Sequence, residues 1–485
     1  MAPAPAIFQR QAMLIDGEWV PGSTGATLTH VDPSTGQLLG RFPNATVEDV
    51  DTAVRAAAAA FPAWRDAPPR VRRDVLLKAT DLLRDNAEEF ARIGAMETGA
   101  VYVPAGVAHA AEHLAYYAGW ADKIEGNTVP FGAGVLNYGV HEPYGVIGAL
   151  NAWNGPLATA LMKLGAILAA GNCVVMKAPD LGPFATLQLA ALMRDAGLPP
   201  GVFNVVTGDA ATGAALVAHP GIGKISFTGG LATARKVMAS AAERAVPVVS
   251  ELGGKSANLI FADADLDRAT AMAAQFGCLT HAGQGCMLPT RLLVANEVYD
   301  EVVERILAKV RAAKIGDPFA PGTSYGPMIT EAALDRVRTV ITDARQRGDG
   351  TLLCGGERLG GDLASGFFLS PAVFGDVDNR SPLAQEEVFG PVLAIVRFGS
   401  ETEAIAMAND TAYGLAGYVH TRDLDRAHRV ASRLEAGYIG VNAFPPLPAQ
   451  APFGGFKQSG FGREGGRHGI EEFLRFKNIY VELAS

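Results

Sequence analysis

The chain has 485 residues, of which 49% are hydrophobic and 19% charged, and its formal net charge at pH 7 is −9. Such a length predicts more than one domain, because ~100–200 residues per domain is usual. The excess of acidic groups argues against non-specific binding to nucleic acid or to an anionic membrane surface.

Cysteine usage and the N-terminus indicate the compartment. The four cysteines, Cys173, Cys278, Cys286 and Cys354, are too few and too scattered for a disulfide framework or a zinc site. Residues 1–10 lack the basic region and apolar run of a secretory signal, and no apolar run reaches the ~18 residues of a membrane span. We therefore expect a cytoplasmic protein in a reducing setting, with no metal and no membrane or nucleic-acid partner.

The first part of the chain begins with strands and continues with helices. Short strands and turns are predicted over residues 1–50, including a hairpin at 12–19, and helical patterns follow at 50–63 and 71–97. Residues 125–142 then have the pattern of two strands around a glycine-rich turn. We expect this hairpin to form an arm, because it has no obvious place in a parallel sheet.

From residue 144 onward, strands and helices alternate. Strands are predicted at 146–150, 173–177, 202–206, 224–227 and 246–251, with helices at 157–170, 183–196, 213–218 and 231–241. A second series has strands at 258–261, 291–294 and 394–397 and helices at 266–278, 298–312, 331–347 and 402–408. Alternation predicts parallel strands with crossover helices, which bind dinucleotides at strand carboxyl ends. We place a domain boundary near residue 255 and a closing strand at 477–483.

One carboxylate and one thiol stand in glycine-rich settings in the middle of the chain. Glu251 opens the stretch Glu-Leu-Gly-Gly-Lys-Ser, and Cys286 closes the stretch Gly-Gln-Gly-Cys. Glycines beside reactive side chains indicate sharp turns or close approach to a ligand. A carboxylate can act as a general base and a cysteine as a nucleophile. Taken alone, however, a single cysteine is more often a small core residue.

Two further stretches suit a dinucleotide. Phe227-Thr228-Gly229-Gly230 follows a predicted strand and precedes a predicted helix, so its backbone N–H groups would face a pyrophosphate, although an ordinary strand-to-helix turn fits the spacing equally well. Lys177 and Asp180 follow another strand and suit the hydroxyls of an adenosine ribose. The alternative is that both are solvated loop charges.

These stretches together resemble the aldehyde dehydrogenase superfamily over residues 13–483. The resemblance is carried by Glu-Leu-Gly-Gly-Lys at Glu251, by Gly-Gln-x-Cys at Cys286, and by Ala-Trp-Asn-Gly-Pro at 152–156. It is also carried by Glu-Glu-Val-Phe-Gly-Pro at 386–391 and by the C-terminal signature at 452–464. The resemblance implies an α/β fold, with a Rossmann-like dinucleotide-binding domain (1–124 and 143–254), a catalytic domain (255–455) and a β oligomerisation arm (125–142 and 470–485).

The resemblance also implies a non-acylating oxidation through a cysteine thioester. Cys286 would attack the aldehyde, Asn154 and the Cys286 backbone N–H would stabilise the oxyanion, and Glu251 would activate water. The presence of Glu251 favours water over coenzyme A as acyl acceptor, and Lys163 and Glu464 match a proton path. The predicted catalytic residues are Cys286, Glu251, Asn154, Lys163 and Glu464.

The cofactor implied is NAD, with NADP possible. Asp180 stands where the family commonly has glutamate, whose charge repels a 2′-phosphate, and its shorter side chain predicts weaker discrimination. Glu387 would hydrogen-bond the nicotinamide ribose, and Phe389 would pack near the nicotinamide. The predicted cofactor residues are Trp153, Asn154, Lys177, Asp180, Gly213, Phe227, Thr228, Gly229, Gly230, Glu251, Leu252, Gly253, Glu387 and Phe389. Gly230 replaces the usual serine, which removes one side-chain contact to phosphate.

Positions that line the family's aldehyde tunnel are small here, which predicts a bulky apolar substrate such as an aromatic, terpenoid or long-chain aldehyde. The predicted pocket residues are Gly155, Ala158, Thr159, Met162, Thr280, Met287, Leu447 and Phe453. None is arginine or lysine, which weighs against semialdehydes that bear a carboxylate. The alternative is that Phe444, Met287 or Leu288 refills the space.

Other functions stay open on the sequence alone. These are an NADP-preferring or coenzyme A-dependent dehydrogenase, a dehydrogenase of small aldehydes or semialdehydes, a thiol hydrolase without redox chemistry, and an inactive binding or structural protein on the same scaffold. The resemblance also predicts a homo-oligomer, either a dimer or a tetramer, and the arm favours a tetramer built as a dimer of dimers.

Overall fold

The computed structural model describes residues 4–482. Its strands are β1 (Met13–Ile15), β2 (Glu18–Val20), β3 (Thr27–Val31), β4 (Leu38–Pro43), β5 (Asn127–Thr128), β6 (Val135–Pro143), β7 (Val146–Leu150), β8 (Cys173–Lys177), β9 (Phe203–Val206), β10 (Lys224–Thr228), β11 (Val248–Glu251), β12 (Ala257–Ile260), β13 (Arg291–Ala295), β14 (Thr351–Cys354), β15 (Ala372–Gly375), β16 (Val392–Phe398), β17 (Tyr413–Gly414), β18 (Ala416–His420), β19 (Tyr438–Val441), β20 (Phe456–Lys457), β21 (Gly460–Phe461) and β22 (Leu474–Glu482). Its α-helices are α1 (Val47–Asp66), α2 (Pro69–Asp85), α3 (Ala87–Thr98), α4 (Pro104–Ala118), α5 (Pro156–Ala169), α6 (Phe184–Asp195), α7 (Ala210–Ala218), α8 (Leu231–Ala242), α9 (Leu266–Ala274), α10 (Tyr299–Arg311), α11 (Glu331–Arg347), α12 (Pro382–Gln385), α13 (Glu401–Asn409), α14 (Leu424–Ala431) and α15 (Gly466–Glu471). Within residues 4–482, every helix is too short or too polar to traverse a bilayer.

The first sheet has eight strands in the order β2-β1-β9-β8-β7-β10-β11-β21. The five strands from β9 to β11 in this order are parallel, and β1 and β21, which flank them, run antiparallel to β9 and β11. All residues of β7 and β8 are buried, as expected for apolar strands covered by helices on both faces. The order reverses between β7 and β10, so a crevice is expected at the carboxyl ends of these two strands.

The second sheet has seven strands in the order β14-β15-β16-β13-β12-β18-β19. All of its pairs are parallel except β14 with β15. The chain passes from the first sheet to the second between Glu251, the last residue of β11, and Ala257, the first residue of β12. Glu251 therefore stands at a carboxyl end of one sheet, close to the amino ends of the other. We propose that the two sheets are the centres of the two domains predicted from the sequence.

The predicted arm is a three-stranded antiparallel sheet of β5, β6 and β22. β22 pairs with β6 along its whole length, from Leu474 opposite Pro143 to Glu482 opposite Val135. Gly139 of β6 has no room for a side chain, because a Cβ there would lie 1.9 Å from the Phe476 ring. The hairpin of residues 125–142 is thus completed by the C-terminal strand of the same chain.

The predicted helix at 266–278 differs from the structure. α9 ends at Ala274, and the next turn, Gln275–Leu279, is π-helical. A π turn takes one more residue than an α turn and is frequent at functional sites. Helical periodicity in the sequence does not reveal such a change, because the apolar residues still recur at similar spacing.

Candidate active site

The loop before Cys286 has an unusual backbone. His281, Ala282 and Gly283 are all left-handed, with φ of 49°, 52° and 70°. This conformation costs a non-glycine residue about 1–2 kcal/mol, so the loop needs support from outside. At Gly283 a Cβ would lie 2.1 Å from the Gly390 carbonyl oxygen, which leaves no room for a side chain.

Gln284 supplies much of that support. Its buried side chain donates from Nε2 to the His281 carbonyl oxygen at 2.9 Å and accepts at Oε1 from the Ile329 N–H at 2.9 Å. The side chain therefore holds the loop to the segment that precedes α11. The sequence prediction did not assign a role to Gln284, although it lies in the Gly-Gln-x-Cys motif.

Asn154 lies between β7 and α5 and reaches the same loop. Its Nδ2 donates to the Gln284 carbonyl oxygen at 3.2 Å. An amide nitrogen has two hydrogens, so this bond orients the group and leaves the second hydrogen available for a ligand. The structure thus brings Asn154 close to Cys286, across 132 residues of sequence by subtraction of their numbers.

Glu251 is buried and neither carboxylate oxygen has a hydrogen-bond partner. Glu251 Oε1 lies beside Gly454, since a Cβ added to Gly454 would be 2.8 Å from this oxygen. Burial raises the pKa of Glu251 well above its usual value, and the negative charge of Glu464 raises it further, while Lys163 opposes both effects. These surroundings therefore favour the neutral form of the Glu251 carboxyl group.

Lys163 and Glu464 form a fully buried ion pair beside Glu251. Lys163 Nζ also donates to Ser226 Oγ at 3.0 Å. Glu464 is held through its backbone, which exchanges hydrogen bonds of 2.6 and 2.7 Å with Phe453. The three ionisable groups predicted as base and proton path thus form one buried cluster.

The thiol of Cys286 is protonated at rest. Burial raises its pKa to about 12, and the negative charges of Glu387 and Glu251 contribute in the same direction. A thiolate is the nucleophilic form, so Cys286 needs either a base or a nearby positive charge to react.

Glu387 approaches the segment after Glu251. Its Oε1 accepts from the Gly254 N–H at 3.1 Å, and a Cβ at Gly253 would lie 2.1 Å from its Oε2. Burial raises the pKa of Glu387 to about 7, although the Gly254 hydrogen bond and Lys255 lower it. Phe389 packs edge-on against Trp153 with ring centroids 5.3 Å apart.

The glycine turn after β10 differs in one respect from the prediction that its N–H groups face a phosphate. The Gly229 N–H donates to the Glu251 carbonyl oxygen at 3.1 Å, so it is not available to a ligand. The open donors are those of the first turn of α8, which begins after Gly230. No atom lies within 4 Å of a Cβ built on Gly230, and the buried Thr228 hydroxyl has no partner.

Lys177 and Asp180 lie at the carboxyl end of β8. Lys177 is buried, which lowers its pKa, whereas Asp180 and Asp209 oppose that shift. Asp180 is exposed, and a Cβ added at Gly213 would lie 3.9 Å from the Lys177 side chain. Asp209 was not predicted; it caps the N-terminus of α7 next to this lysine.

The groups at the carboxyl ends of β8 and β10 have the chemistry that a dinucleotide needs. An open glycine turn with an unpartnered hydroxyl suits a pyrophosphate, and Asp180 and Glu387 are carboxylates that can accept from ribose hydroxyls. Leu252, the residue after Glu251, is held to the C-terminal segment, since its N–H donates to the Ser459 carbonyl oxygen at 3.0 Å. The residues present fit a nicotinamide dinucleotide. Among residues 4–482, no group of three or more His, Cys, Asp or Glu side chains could hold a metal ion.

Beside Cys286 lies an apolar cluster, here called the pocket cluster. Its buried members are Met162, Met287, Leu415, Ala416, Tyr418 and Phe453, and Cys286, Tyr438, Phe444 and Leu447 pack against it. Four predicted pocket residues, Met162, Met287, Leu447 and Phe453, are therefore brought together. Leu288 is buried but does not belong to this cluster.

The other four predicted pocket residues lie outside the pocket cluster. Gly155, Ala158 and Thr159 lie at the start of α5, where the Thr159 hydroxyl donates to the Gly155 carbonyl oxygen at 2.9 Å. Thr280 accepts from Gln275 Nε2 at 3.0 Å. Both threonine hydroxyls are thus partnered within the protein.

Several residues near the site were missed by sequence reasoning. Tyr418 donates to the Met287 carbonyl oxygen at 2.9 Å, and Phe276 stacks on Phe444 with ring centroids 3.8 Å apart. Ser459 donates to the Gly253 carbonyl oxygen at 2.7 Å and accepts from the Gly414 N–H at 2.9 Å. Ser459 lies in the C-terminal signature, which was a usable signal, whereas Tyr418 and Phe276 lie in ordinary apolar runs.

Comparison with known proteins extends over nearly the whole chain. The model of the aldehyde dehydrogenase family matches residues 19–479. The solved structure of HpcC from Thermus thermophilus is 39% identical with a TM-score of 0.95, covering 99% of this chain and 94% of that one. Betaine aldehyde dehydrogenase from Staphylococcus aureus, solved with NAD⁺, is 35% identical with a TM-score of 0.96, covering 98% and 95%. A variant of aldehyde dehydrogenase from Bacillus cereus is 36% identical with a TM-score of 0.95, covering 98% and 97%.

These matches confirm the predicted family, the α/β fold class and the NAD(P) cofactor class. The chain belongs to the aldehyde dehydrogenase family and is an NAD(P)-dependent oxidoreductase that acts on aldehydes.

Proposed function

We propose that this enzyme oxidises bulky apolar aldehydes, aromatic ones above all, to carboxylic acids with NAD⁺. The observation that carries the proposal is the pocket cluster beside Cys286, which is apolar and edged by aromatic rings. Phe444, which could have refilled the space, is held in a stack between Phe276 and Tyr418, with centroid distances of 3.8 and 5.4 Å. None of the eight predicted pocket residues is a lysine or an arginine.

In the proposed reaction, the Cys286 sulfur bonds to the aldehyde carbon. The thiol proton leaves to a base, and the carbonyl oxygen becomes an oxyanion that accepts from the free hydrogen of Asn154 Nδ2 and from the Cys286 N–H. Removing one such donor typically costs about 3–4 kcal/mol of transition-state stabilisation. Loss of hydride from the carbon then leaves a thioester on Cys286.

NAD⁺, when bound, accepts that hydride. Thr228, Gly230 and the start of α8 would hold its pyrophosphate, Lys177 and Asp180 its adenosine ribose, and Glu387 its nicotinamide ribose. We propose that Trp153 and Phe389 border the nicotinamide, because their rings pack against each other near the site.

Glu251 completes the cycle in this proposal. As a carboxylate it takes a proton from water, whose oxygen bonds to the thioester carbon while the C–S bond breaks and the acid leaves. Burial and Glu464 favour the neutral form of Glu251, so the base needs a route for its proton, and Lys163 and Glu464 lie beside it to conduct that proton away.

A second substrate class is favoured by the same rings. Aromatic faces bind quaternary ammonium groups, and Tyr438 and Phe453 lie edge to face, 5.7 Å apart, at the pocket cluster. A cationic aldehyde such as betaine aldehyde is therefore the alternative.

Specificity constants for acetaldehyde, an aromatic aldehyde and betaine aldehyde, each with NAD⁺ and NADP⁺, test the proposal. Burial of about 100 Å² of ring surface contributes about 2.5 kcal/mol, so kcat/KM should be about 70-fold higher for the aromatic aldehyde than for acetaldehyde. Higher kcat/KM for acetaldehyde would end the proposal, and the highest value for betaine aldehyde would support the alternative.

We further propose a homo-oligomer assembled through the arm. β22 is the edge strand of the arm sheet, and its aromatic residues Phe476 and Tyr480 are each about half exposed. An open strand edge is a template for pairing with another chain. Since a catalytic thiol must stay reduced, the cytoplasm is the proposed compartment.

A further inference from the structure

A short loop after β19, residues 442–448, forms one wall of the pocket cluster. We call it the pocket loop. Phe444 of this loop stacks on Phe276 almost in parallel, at an interplanar angle of 6°, and Leu447 packs against the pocket cluster. Phe444 and Leu447 of this loop therefore contribute to the apolar surface beside Cys286.

The backbone of the pocket loop is strained at both ends. Asn442 and Leu447 each have φ of 51°, in the left-handed region. Asn442 suits that region, and its side chain is held by hydrogen bonds of 2.8 and 3.1 Å to the backbone of Thr421. Leu447 has no such preference, so contacts from outside the loop must stabilise its conformation.

One histidine of α4 contacts this end of the pocket loop. The His109 ring donates from Nε2 to the Pro446 carbonyl oxygen at 2.7 Å. His113 lies four residues further along the same helix face. It is buried, which lowers its pKa to about 4.

We propose that His109 is a positioning residue that holds the pocket loop over the aldehyde pocket and thereby sets its preference between large and small aldehydes. This inference deepens the proposed function and rests on it. His109 acts through Pro446, whose carbonyl oxygen it binds.

The groups that perform the chemistry are held by other elements. The side chain of Gln284 supports the loop before Cys286, and the Gln284 carbonyl oxygen orients Asn154. Glu251 is the last residue of β11. Release of the pocket loop therefore removes contacts from a large aldehyde, whereas a small aldehyde at Cys286 reaches little of the loop. The effect should fall on KM for large substrates and spare kcat.

The test uses full-length His109→Ala, His109→Gln and the control Glu112→Gln, a surface change on the same helix. Glu112 is exposed and pairs with Arg84. Steady-state kinetics are measured with an aromatic aldehyde and with acetaldehyde, and melting temperatures are recorded. His109 is exposed, so its replacement should leave the fold intact.

His109→Ala should raise KM for the aromatic aldehyde about fivefold, the size expected for loss of one neutral hydrogen bond, with kcat and the acetaldehyde constants within twofold. His109→Gln, which can still donate, should restore KM to within twofold, and Glu112→Gln should change nothing. Equal changes for both aldehydes, or no change in either, would overturn the inference.

The effect of His109→Ala on KM can be judged separately from the substrate preference of the parent enzyme. If the parent enzyme prefers acetaldehyde, the bulky-substrate proposal fails. The ratio of the two KM values in His109→Ala relative to the parent still measures whether the loop is held by α4. An unchanged ratio overturns the inference whatever the parent prefers.

Discussion

At the scale of single residues, the decisive feature is a shortage of positive charge around Glu251. Two carboxyl groups, Glu251 and Glu464, share one ammonium group, Lys163, in a region closed to water. An unpaired charge in such a place is costly. Burial and the charge of Glu464 raise the pKa of Glu251, and Lys163, which pairs with Glu464, opposes that shift. The ability of Glu251 to act as a base therefore depends on pH.

We expect Glu251→Gln to retain a burst of NADH and to lose steady turnover by at least about 100-fold, because general bases contribute about 10²–10⁴-fold. The amide cannot activate water, but thiol attack and hydride loss remain. Rapid-mixing absorbance at the NADH wavelength separates the two phases. Equal loss of burst and turnover would show that Glu251 acts before the thioester forms.

A second expectation concerns the pH profile. Glu251 works as a carboxylate and burial and Glu464 raise its pKa, so turnover should rise with pH through that raised pKa. Glu464→Gln removes a like charge and frees Lys163 to stabilise Glu251. The midpoint of the kcat profile should therefore move to lower pH by about one unit. A midpoint that stays or moves upward contradicts this account, and Glu112→Gln, at the surface, serves as the control.

At the scale of elements, the connection between β11 and β12 is packed from both sides. Ser459 of the C-terminal segment bonds the Gly253 carbonyl oxygen at 2.7 Å, and Glu387 accepts from the Gly254 N–H at 3.1 Å. Both glycines are needed, because a Cβ at Gly253 would lie 2.1 Å from Glu387 Oε2 and a Cβ at Gly254 would lie 2.7 Å from the Cys286 carbonyl oxygen. The segment thus links the base, the cofactor carboxylate and the C-terminal signature.

Gly253→Ala should raise KM for NAD⁺ by about tenfold or more. The new methyl group would sit 2.1 Å from Glu387 Oε2 and push that flexible carboxylate away, and a hydrogen bond to a charged group is worth about 1.5–3 kcal/mol. Gly94→Ala is the matched control, since nothing lies within 4 Å of its Cβ position in α3. It should leave the kinetics unchanged; a similar KM in both variants would rule out the proposed role of Glu387.

At the scale of the whole molecule, the arm presents apolar surface. Phe131, Phe476 and Tyr480 are 62%, 53% and 51% exposed, and Phe131 packs edge-on against Tyr480 at 5.3 Å. Single exposed rings are ordinary, but adjacent ones beside an open strand edge indicate an interaction surface.

The double variant Phe476→Asp with Tyr480→Asp should therefore form smaller particles than the parent, as measured by size-exclusion chromatography with light scattering. The charges would have to be buried at the interface without partners. Leu424→Asp, which alters an equally exposed apolar residue on α14, should keep the parent mass. A double variant of parent mass would exclude the arm as the interface.

The sequence by itself determined the strands, the helices that alternate with them and the family. The strands 146–150 and 173–177 were predicted with their observed bounds, because each is a short apolar run ended by polar residues or glycine. The prediction did not include β18, β19 and α14, which are only four to eight residues long, so few residues are present to reveal a period. Sequence motifs identified Glu251, Cys286 and Asn154 as candidates, because a motif is a short stretch of sequence that can be recognised without knowing which residues surround it in the folded chain.

Only the tertiary structure decided the state of those groups and their supports. The protonation of Glu251 depends on burial and on Glu464, more than 200 residues away by subtraction of their numbers. The hydrogen bond from His109 to Pro446 joins residues that are 337 positions apart in the sequence. Local sequence patterns do not predict such pairs. The pKa shifts, the left-handed backbone and the ring stacking all depend on charges and packing between segments that meet only in the folded chain.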